Sequence, residues 1–197
     1  MSDARSAMPD SVVLFVDMHE HGLGAVHTVA PSALRRGVGR LAALSVLYEL
    51  PAILSGMPLP RPAFVRELAA LEAAAPLLLR TTGGAFDDPA VRAAIARHER
   101  RAILLAGIAT EGAIVITALA AKAAGHDVSI VVDACGGIEP RTEQAALQSL
   151  AAAGVTLTST WTLGLALQHD LAAPRGKELM GLVGQWLHQL APGGSSA

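Results

Sequence analysis

Residues 101–133 decide the fold: Arg101-Ala-Ile-Leu-Leu-Ala-Gly107, then Ile-Ala-Thr-Glu-Gly-Ala113, and at the end Asp127-Val-Ser-Ile-Val-Val-Asp133. The first and last of these are short apolar runs, which are typical of strands buried in a parallel sheet. Between them, residues 110–124 predict a helix that stops at Gly125. A strand, a helix and a parallel strand form a right-handed crossover unit. This stretch therefore predicts an α/β protein with a parallel sheet.

The same alternation of strand and helix continues on both sides of that stretch. Ser32 and Asp88-Pro89 are predicted helix starts, because such residues are common at helix N-caps and first turns. We predict a three-layer α/β/α doubly wound fold with six mainly parallel strands over residues 1–190, followed by a flexible tail, 191–197. The predicted strands are 11–17, 52–55, 77–79, 101–107, 127–133 and 155–158, and the predicted helices are 32–48, 63–72, 91–98, 110–124, 140–153, 161–170 and 178–190.

Composition limits the classes of function. The chain has 197 residues, 52% of them hydrophobic, with 15 basic against 17 acidic side chains. Disorder is excluded, and the charge balance predicts no binding to nucleic acid. We predict no membrane span, because no run reaches the roughly 18 apolar residues required. A cytoplasmic protein with a small-molecule substrate is expected.

Self-association is also expected, because mean hydropathy is positive while charge is low. The C-terminal segment carries an apolar stripe at helical spacing, which could pack on its own domain or on a neighbour. The stripe consists of Leu179, Leu182, Val183, Trp186, Leu187 and Leu190.

Ligands of doubly wound folds bind beyond the carboxyl ends of the strands, and there the sequence resembles a known family. The chain is similar to the isochorismatase-like hydrolase superfamily, also called the cysteine hydrolase family, over about residues 11 to 170. The residues that carry the resemblance are the strand ending in Asp17-Met18, the loop Arg80 to Asp87, Gly107-Ile-Ala-Thr-Glu-Gly-Ala113, and Gly125-His-Asp-Val128 leading to Val132-Asp-Ala134. The run Asp133-Ala-Cys-Gly-Gly137 resembles one uncharacterised hydrolase subgroup in particular.

The resemblance implies a site that this chain only partly retains. Amidases of the family use an Asp, a Lys and a nucleophilic Cys, with backbone amides as oxyanion hole and a cis peptide, here around Ile108-Ala109. Asp17 matches the acid, but Ala113 occupies the cysteine position and has no nucleophilic atom. The family lysine is absent, and Arg80 is the basic residue near its expected position. Because an arginine fork suits a carboxylate, the sequence favours an anionic ligand.

Three hypotheses follow from Ala113. In the first, Asp17 performs non-covalent acid–base chemistry on a small anionic metabolite that Arg80 orients, as isochorismatases without the cysteine do. In the second, Ala113 is an introduced replacement in a cysteine-type amidohydrolase. In the third, the chain is a catalytically silent binding or scaffold protein. The predicted substrate-binding residues are Phe86, Ile108, Ala109, Thr110, Glu111 and Gly112.

Structural interpretations compete with these assignments. Asp17 could cap a loop, Arg80 could pair with Asp87 or Asp88, Phe86 could be ordinary core, and Thr110 is expected to cap the helix that Glu111 begins.

Metal and cofactor sites are not predicted. Asp17, His19 and His21 are spaced two residues apart, so an extended chain would place all three side chains on one face, as a metal site could require. Metal-dependent nicotinamidases of the superfamily, however, take ligands from an Asp-x-His motif after the second strand, where this chain has Ser55-Gly-Met-Pro58. We therefore expect solvated loop histidines. Cys135, the single cysteine, is expected to be a passive thiol because no base lies beside it in the sequence.

Overall fold

The computed structural model describes residues 10–59 and 63–190. Its six strands form one sheet in which every neighbouring pair is parallel. The strands are β1 (Ser11–Val16), β2 (Ala52–Gly56), β3 (Leu77–Leu79), β4 (Ala102–Ile108), β5 (Asp127–Gly136) and β6 (Thr156–Thr158), and their order across the sheet is β3-β2-β1-β4-β5-β6. The predicted α/β fold is confirmed.

Helices connect the strands and fall into two groups. The helices are α1 (Pro31–Leu47), α2 (Ala69–Glu72), α3 (Pro89–Ala96), α4 (Val115–Ala123), α5 (Pro140–Ala152), α6 (Thr160–Leu167) and α7 (Pro174–Leu190). Helices α1, α6 and α7 contact one another, whereas α4 contacts α5 and the short turn before α3. Two separate helical groups agree with a sheet covered on both faces.

The central strands β1 and β4 are buried along their whole length. They are covered on both faces, which explains why they consist of continuous apolar runs rather than alternating ones. At their carboxyl ends Val16 pairs with Gly107. A Cβ at Gly107 would lie 2.0 Å from the Val16 carbonyl oxygen, and φ there is +145°. Only glycine permits this close approach of β1 to β4 at the edge where ligands bind.

Several predicted helix boundaries are confirmed. The Asp88 side chain accepts hydrogen bonds from the Ala90 and Val91 amides at the start of α3. After α4 and α5 the chain turns through Gly125 and Gly154, which have φ of +93° and +77°. These glycines adopt the left-handed conformation that commonly ends a helix.

Other local predictions were wrong. Helix α1 begins at Pro31 after Ala30, so Ser32 is not its cap. The predicted helix 63–72 is reduced to a 3-10 turn at Arg66–Leu68 and the four-residue α2. Phe64 instead forms an antiparallel bridge with His19, and this pairing holds the backbone extended.

The C-terminal stripe packs partly on its own chain. Helix α7 starts four residues before the prediction, at Pro174. Leu179 and Trp186 are buried, whereas Leu187 and Leu190 are exposed. The predicted tail 191–197 lies outside the described residues. None of the helices in the described ranges is long and apolar enough to cross a bilayer.

Candidate active site

Asp17 lies directly after β1, with its backbone in the left-handed region at φ +53°. Its amide donates to the Ser55 carbonyl at 2.8 Å, and its own carbonyl accepts from the His19 amide at 2.8 Å. A short polar side chain tolerates this conformation better than most residues do. The turn directs the carboxylate toward β2, where Oδ1 accepts the Met57 amide at 2.9 Å.

Arg80, the residue after β3, binds Asp17 with both terminal nitrogens. Nη1 donates to Oδ1 at 2.8 Å and Nη2 donates to Oδ2 at 2.5 Å. The arginine side chain is 1% exposed and the carboxylate 17% exposed. Arg80 therefore pairs with Asp17. The alternative from the sequence, a salt bridge of Arg80 with Asp87 or Asp88, was wrong. Such a bidentate, partly buried pair is geometrically specific.

The segment between β4 and α4 carries the position of the family nucleophile. The peptide Ile108-Ala109 is cis, as the resemblance implies. The helical run is broken at Gly112, and the amides of Gly112 and Ile114 both donate to the Ala109 carbonyl. Ala113 follows this break and is half-buried, packed against the hydrophobic core.

Thr110 and Glu111 are engaged with the turn after β5. The Thr110 hydroxyl donates to Glu143 at 2.7 Å, so it does not cap its own helix as predicted. Glu111 Oε1 accepts from the amides of Ile138 and Glu139 and from the Thr142 hydroxyl. Burial acts to raise the pKa of Glu111, but these hydrogen bonds outweigh it and the pKa is lowered. Glu111 is thus an ionised anchor for the start of α5.

Phe86 is buried in the turn before α3. Its ring lies edge-on to His126, with centroids 5.4 Å apart. His126 precedes β5, so this contact lies toward the amino end of that strand. The observed partner corresponds to core packing, and a role of Phe86 in ligand binding stays a prediction.

Cys135 is buried near the end of β5. Its Sγ lies 3.9 Å from the Leu105 carbonyl oxygen, and burial raises the pKa of the thiol to about 12. A nucleophilic thiol needs an accessible, lowered-pKa environment. The geometry is that of a passive thiol.

The two loop histidines differ in environment. His21 is exposed as expected, but His19 is 2% exposed, so the prediction of a solvated side chain was wrong for His19. Burial lowers the pKa of His19; the charge of Asp17 opposes this shift and that of Arg80 adds to it. Within the described ranges, no three His, Cys, Asp or Glu side chains are grouped so as to hold a metal ion.

The end of β2, Ser55 to Met57, was expected at the ligand edge of the sheet, but the backbone contacts of Gly56 and Met57 were not predicted. The Gly56 carbonyl accepts the Arg80 amide at 2.9 Å, and the next amide, of Met57, donates to Asp17. Gly56 ends β2 and Met57 follows it, and the carboxyl end of β2 lies at the same edge of the sheet as that of β1. The strand end was therefore the available signal, because a backbone amide or carbonyl can make these contacts whatever the side chain is.

Comparison with known proteins agrees with this geometry. A family model described as the isochorismatase domain matches residues 57–161, just over half of the chain. The chain is 29% identical over 164 residues to the probable hydrolase YcaC of Escherichia coli, covering 82% of this chain and 79% of YcaC.

Two solved structures are similar over nearly the whole chain. YcaC from Pseudomonas aeruginosa, solved with hexane-2,5-diol and covalent acrylamide, has a TM-score of 0.81 at 26% identity and covers 91% of this chain and 95% of its own. The E. coli YcaC structure, described as an octameric hydrolase of unknown specificity, gives the same TM-score and identity, covering 91% and 94%. Because the family model spans more than half of the chain and the sheet matches these structures, this chain belongs to the isochorismatase family.

Proposed function

We propose that this protein is a hydrolase of small metabolites in which Asp17 performs non-covalent acid–base chemistry. The observation that carries the proposal is the bidentate contact between Asp17 and Arg80 at the carboxyl edge of the sheet. Arg80 fixes the orientation of the carboxylate, and 17% of the Asp17 side chain remains exposed. A positioned carboxylate that a ligand can reach is suited to act as a general base.

The proposed step uses water as nucleophile, because Ala113 has none. Asp17 accepts a proton from a bound water, whose oxygen attacks the electrophilic carbon of the substrate. The bond to the leaving group breaks, and the proton passes from Asp17 to that group. The backbone amides of Ala109 and Ala113 are the proposed donors to the negative charge that develops. Thr110, Glu111 and Gly112 form the turn between these two residues, and we propose that this turn lines the substrate site.

Arg80 is not free to bind an anionic substrate with its whole guanidinium group. The sequence argument for an anionic metabolite depends on a free Arg80 fork, and that fork holds Asp17. An anionic substrate would therefore have to share Nη2, which also lies 3.4 Å from the Gly83 carbonyl oxygen. Substrate panels should contain anionic and neutral compounds in matched pairs.

Asp17→Asn tests the proposal. Incubating a metabolite extract with each protein and following it by mass spectrometry should identify a compound that the native protein consumes about 10²–10⁴-fold faster than the variant. Asp127→Asn is the matched control, since it removes an aspartate paired with an arginine, Arg101, at the amino end of the sheet. Circular dichroism should show all three proteins folded. Identical extracts would favour a silent binding or scaffold protein instead.

A second candidate is a cysteine-type amidohydrolase whose nucleophile Ala113 replaces. It is favoured by the position of residue 113 at the start of a helix, where a thiolate would be stabilised. Ala113→Cys should then hydrolyse a carboxamide and lose that activity on alkylation. Iodoacetamide should label one thiol in the variant and none in the parent, because Cys135 is buried. A labelled variant without amidase activity would contradict this candidate.

We also propose that several copies of this chain assemble. The E. coli relative is described as octameric. In this chain Ile116 and Leu119 of α4, three and six residues after Ala113, are exposed apolar side chains. We propose a homo-oligomer that covers such residues.

A further inference from the structure

His19 is buried without a hydrogen-bond partner on either ring nitrogen among the described residues. Its ring packs on Phe64 with centroids 4.4 Å apart and planes tilted by 45°. Buried polar groups almost always have a partner, so an exception two residues after Asp17 calls for a functional explanation.

The ring lies directly on Gly56. A Cβ at Gly56 would lie 2.3 Å from His19 Nε2 and 3.2 Å from the Phe64 ring. The Gly56 carbonyl accepts the Arg80 amide, and the Met57 amide donates to Asp17. The histidine therefore covers the short backbone segment to which both members of the Asp17–Arg80 pair are tied.

Charged groups approach this ring from three elements. Asp17 and Glu20 lie on its own loop, Arg66 and Glu67 follow Phe64, and Arg80 follows β3. Glu20 and Glu67 are turned toward Arg35, which pairs with both. The groups that act on His19 are Asp17 and Arg80. Burial and Arg80 lower the pKa of His19 more than Asp17 raises it, so the packed ring is neutral.

Protonation would make the packed position unfavourable. It would create a second cation beside Arg80, in a place where neither nitrogen has an acceptor among residues 10–59 and 63–190. The next residues of the loop, Glu20 and His21, are exposed, so solvent lies close to the ring along the chain.

We propose that His19 is a pH-sensitive positioning residue: the neutral ring holds Gly56 and Met57 against the Asp17–Arg80 pair, and its protonation releases them. The consequence for catalysis rests on the proposed function of Asp17, whereas the structural linkage does not. Acidification then weakens the site through His19 before the fold as a whole is lost.

The direct test is NMR of the whole protein between pH 7.5 and 4.5. The backbone amide resonance of Met57 should shift with the same midpoint as the His19 ring. In His19→Phe, which keeps an aromatic contact with Phe64, this shift should be absent; His19→Gln serves if that variant does not fold. His21→Gln, an exposed histidine on the same loop, should behave as the parent. A Met57 shift that persists in the His19 variants would assign the titration to Asp17 and overturn the proposal.

Turnover provides the second readout once a substrate is known. The parent should lose about tenfold per pH unit below the His19 midpoint, as for one essential deprotonated group. His19→Gln should remove this acid limb, whereas His21→Gln should retain it. An unchanged limb in His19→Gln would contradict the proposal. If no Asp17-dependent turnover is found, the proposed function fails, and the Met57 titration still decides the role of His19.

Discussion

In the part of the chain that the structure describes, two arginines are buried, and they are stabilised in different ways. Arg80 is 1% exposed and donates to both carboxylate oxygens of Asp17. Arg40, on α1, is 7% exposed, and its guanidinium carbon lies over the rings of Trp161 and Trp186, 4.8 and 5.5 Å from their centroids. Its Nε and Nη2 have no hydrogen-bond partner in the described ranges.

The difference shows what each cluster can do. The carboxylate beside Arg80 can exchange a proton, and it lies at the carboxyl edge of the sheet. The indoles beside Arg40 offer only their ring faces, and they belong to α6 and α7, so this contact joins three helices of one group. Burial lowers the pKa of Arg40 from its usual value, and Asp133 partly opposes that shift. We therefore interpret the Arg40 cluster as packing and the Arg80 cluster as chemistry.

Arg80→Met should give the larger loss of stability. It leaves the Asp17 carboxylate partly buried without its cation, which we expect to lower the free energy of unfolding by about 3 kcal/mol at pH 7. Urea denaturation followed by circular dichroism would measure it. Arg101→Met is the control, because the Arg101 side chain of the Arg101–Asp127 pair is exposed and the pair should contribute less than about 1 kcal/mol. Equal losses in the two variants would show that the Asp17–Arg80 pair contributes no more to stability than the Arg101–Asp127 pair.

Arg40→Met should have the smaller effect, within about 1 kcal/mol of the parent. The substitution loses the contact of a cation with two indoles, but it also removes buried N–H groups that have no acceptor among the described residues, and these contributions oppose each other. The same urea experiment applies. Arg40→Ala should be less stable than Arg40→Met, since it also removes the side-chain stem that fills space between α1 and α7. A loss near that of Arg80→Met would show that our distinction between the two arginines is wrong.

Much of the fold could be predicted because its signals are local. The apolar runs of β1 and β4 identify strands buried on both faces, and Asp88-Pro89 and Gly125 mark helix ends by backbone chemistry that operates within a few residues. The segment 63–72 could not be predicted in this way. Its helical pattern is overridden at Phe64 by pairing with His19, a residue 45 positions away in the chain.

The sequence identified several residues of the site, but not the contacts between them. Asp17 and Arg80 were both identified from their positions at strand ends, yet their contact spans 63 positions and was not foreseen. His19 was expected in solvent, because the polarity of a side chain does not reveal which ring and which glycine will cover it. Glu111 was assigned to its own helix, and its carboxylate instead holds the turn after β5.

The sequence by itself determined the alternation of strands and helices, the family, and the replacement of the nucleophile by Ala113, since these depend on residue type and short-range periodicity. Only the tertiary structure decided that Arg80 neutralises Asp17, that Cys135 is inaccessible and that His19 covers Gly56. The physical reason is that strand order and register bring distant chain segments to one edge of the sheet. Charge pairing and burial there depend on contacts between segments and not on the identity of either segment alone.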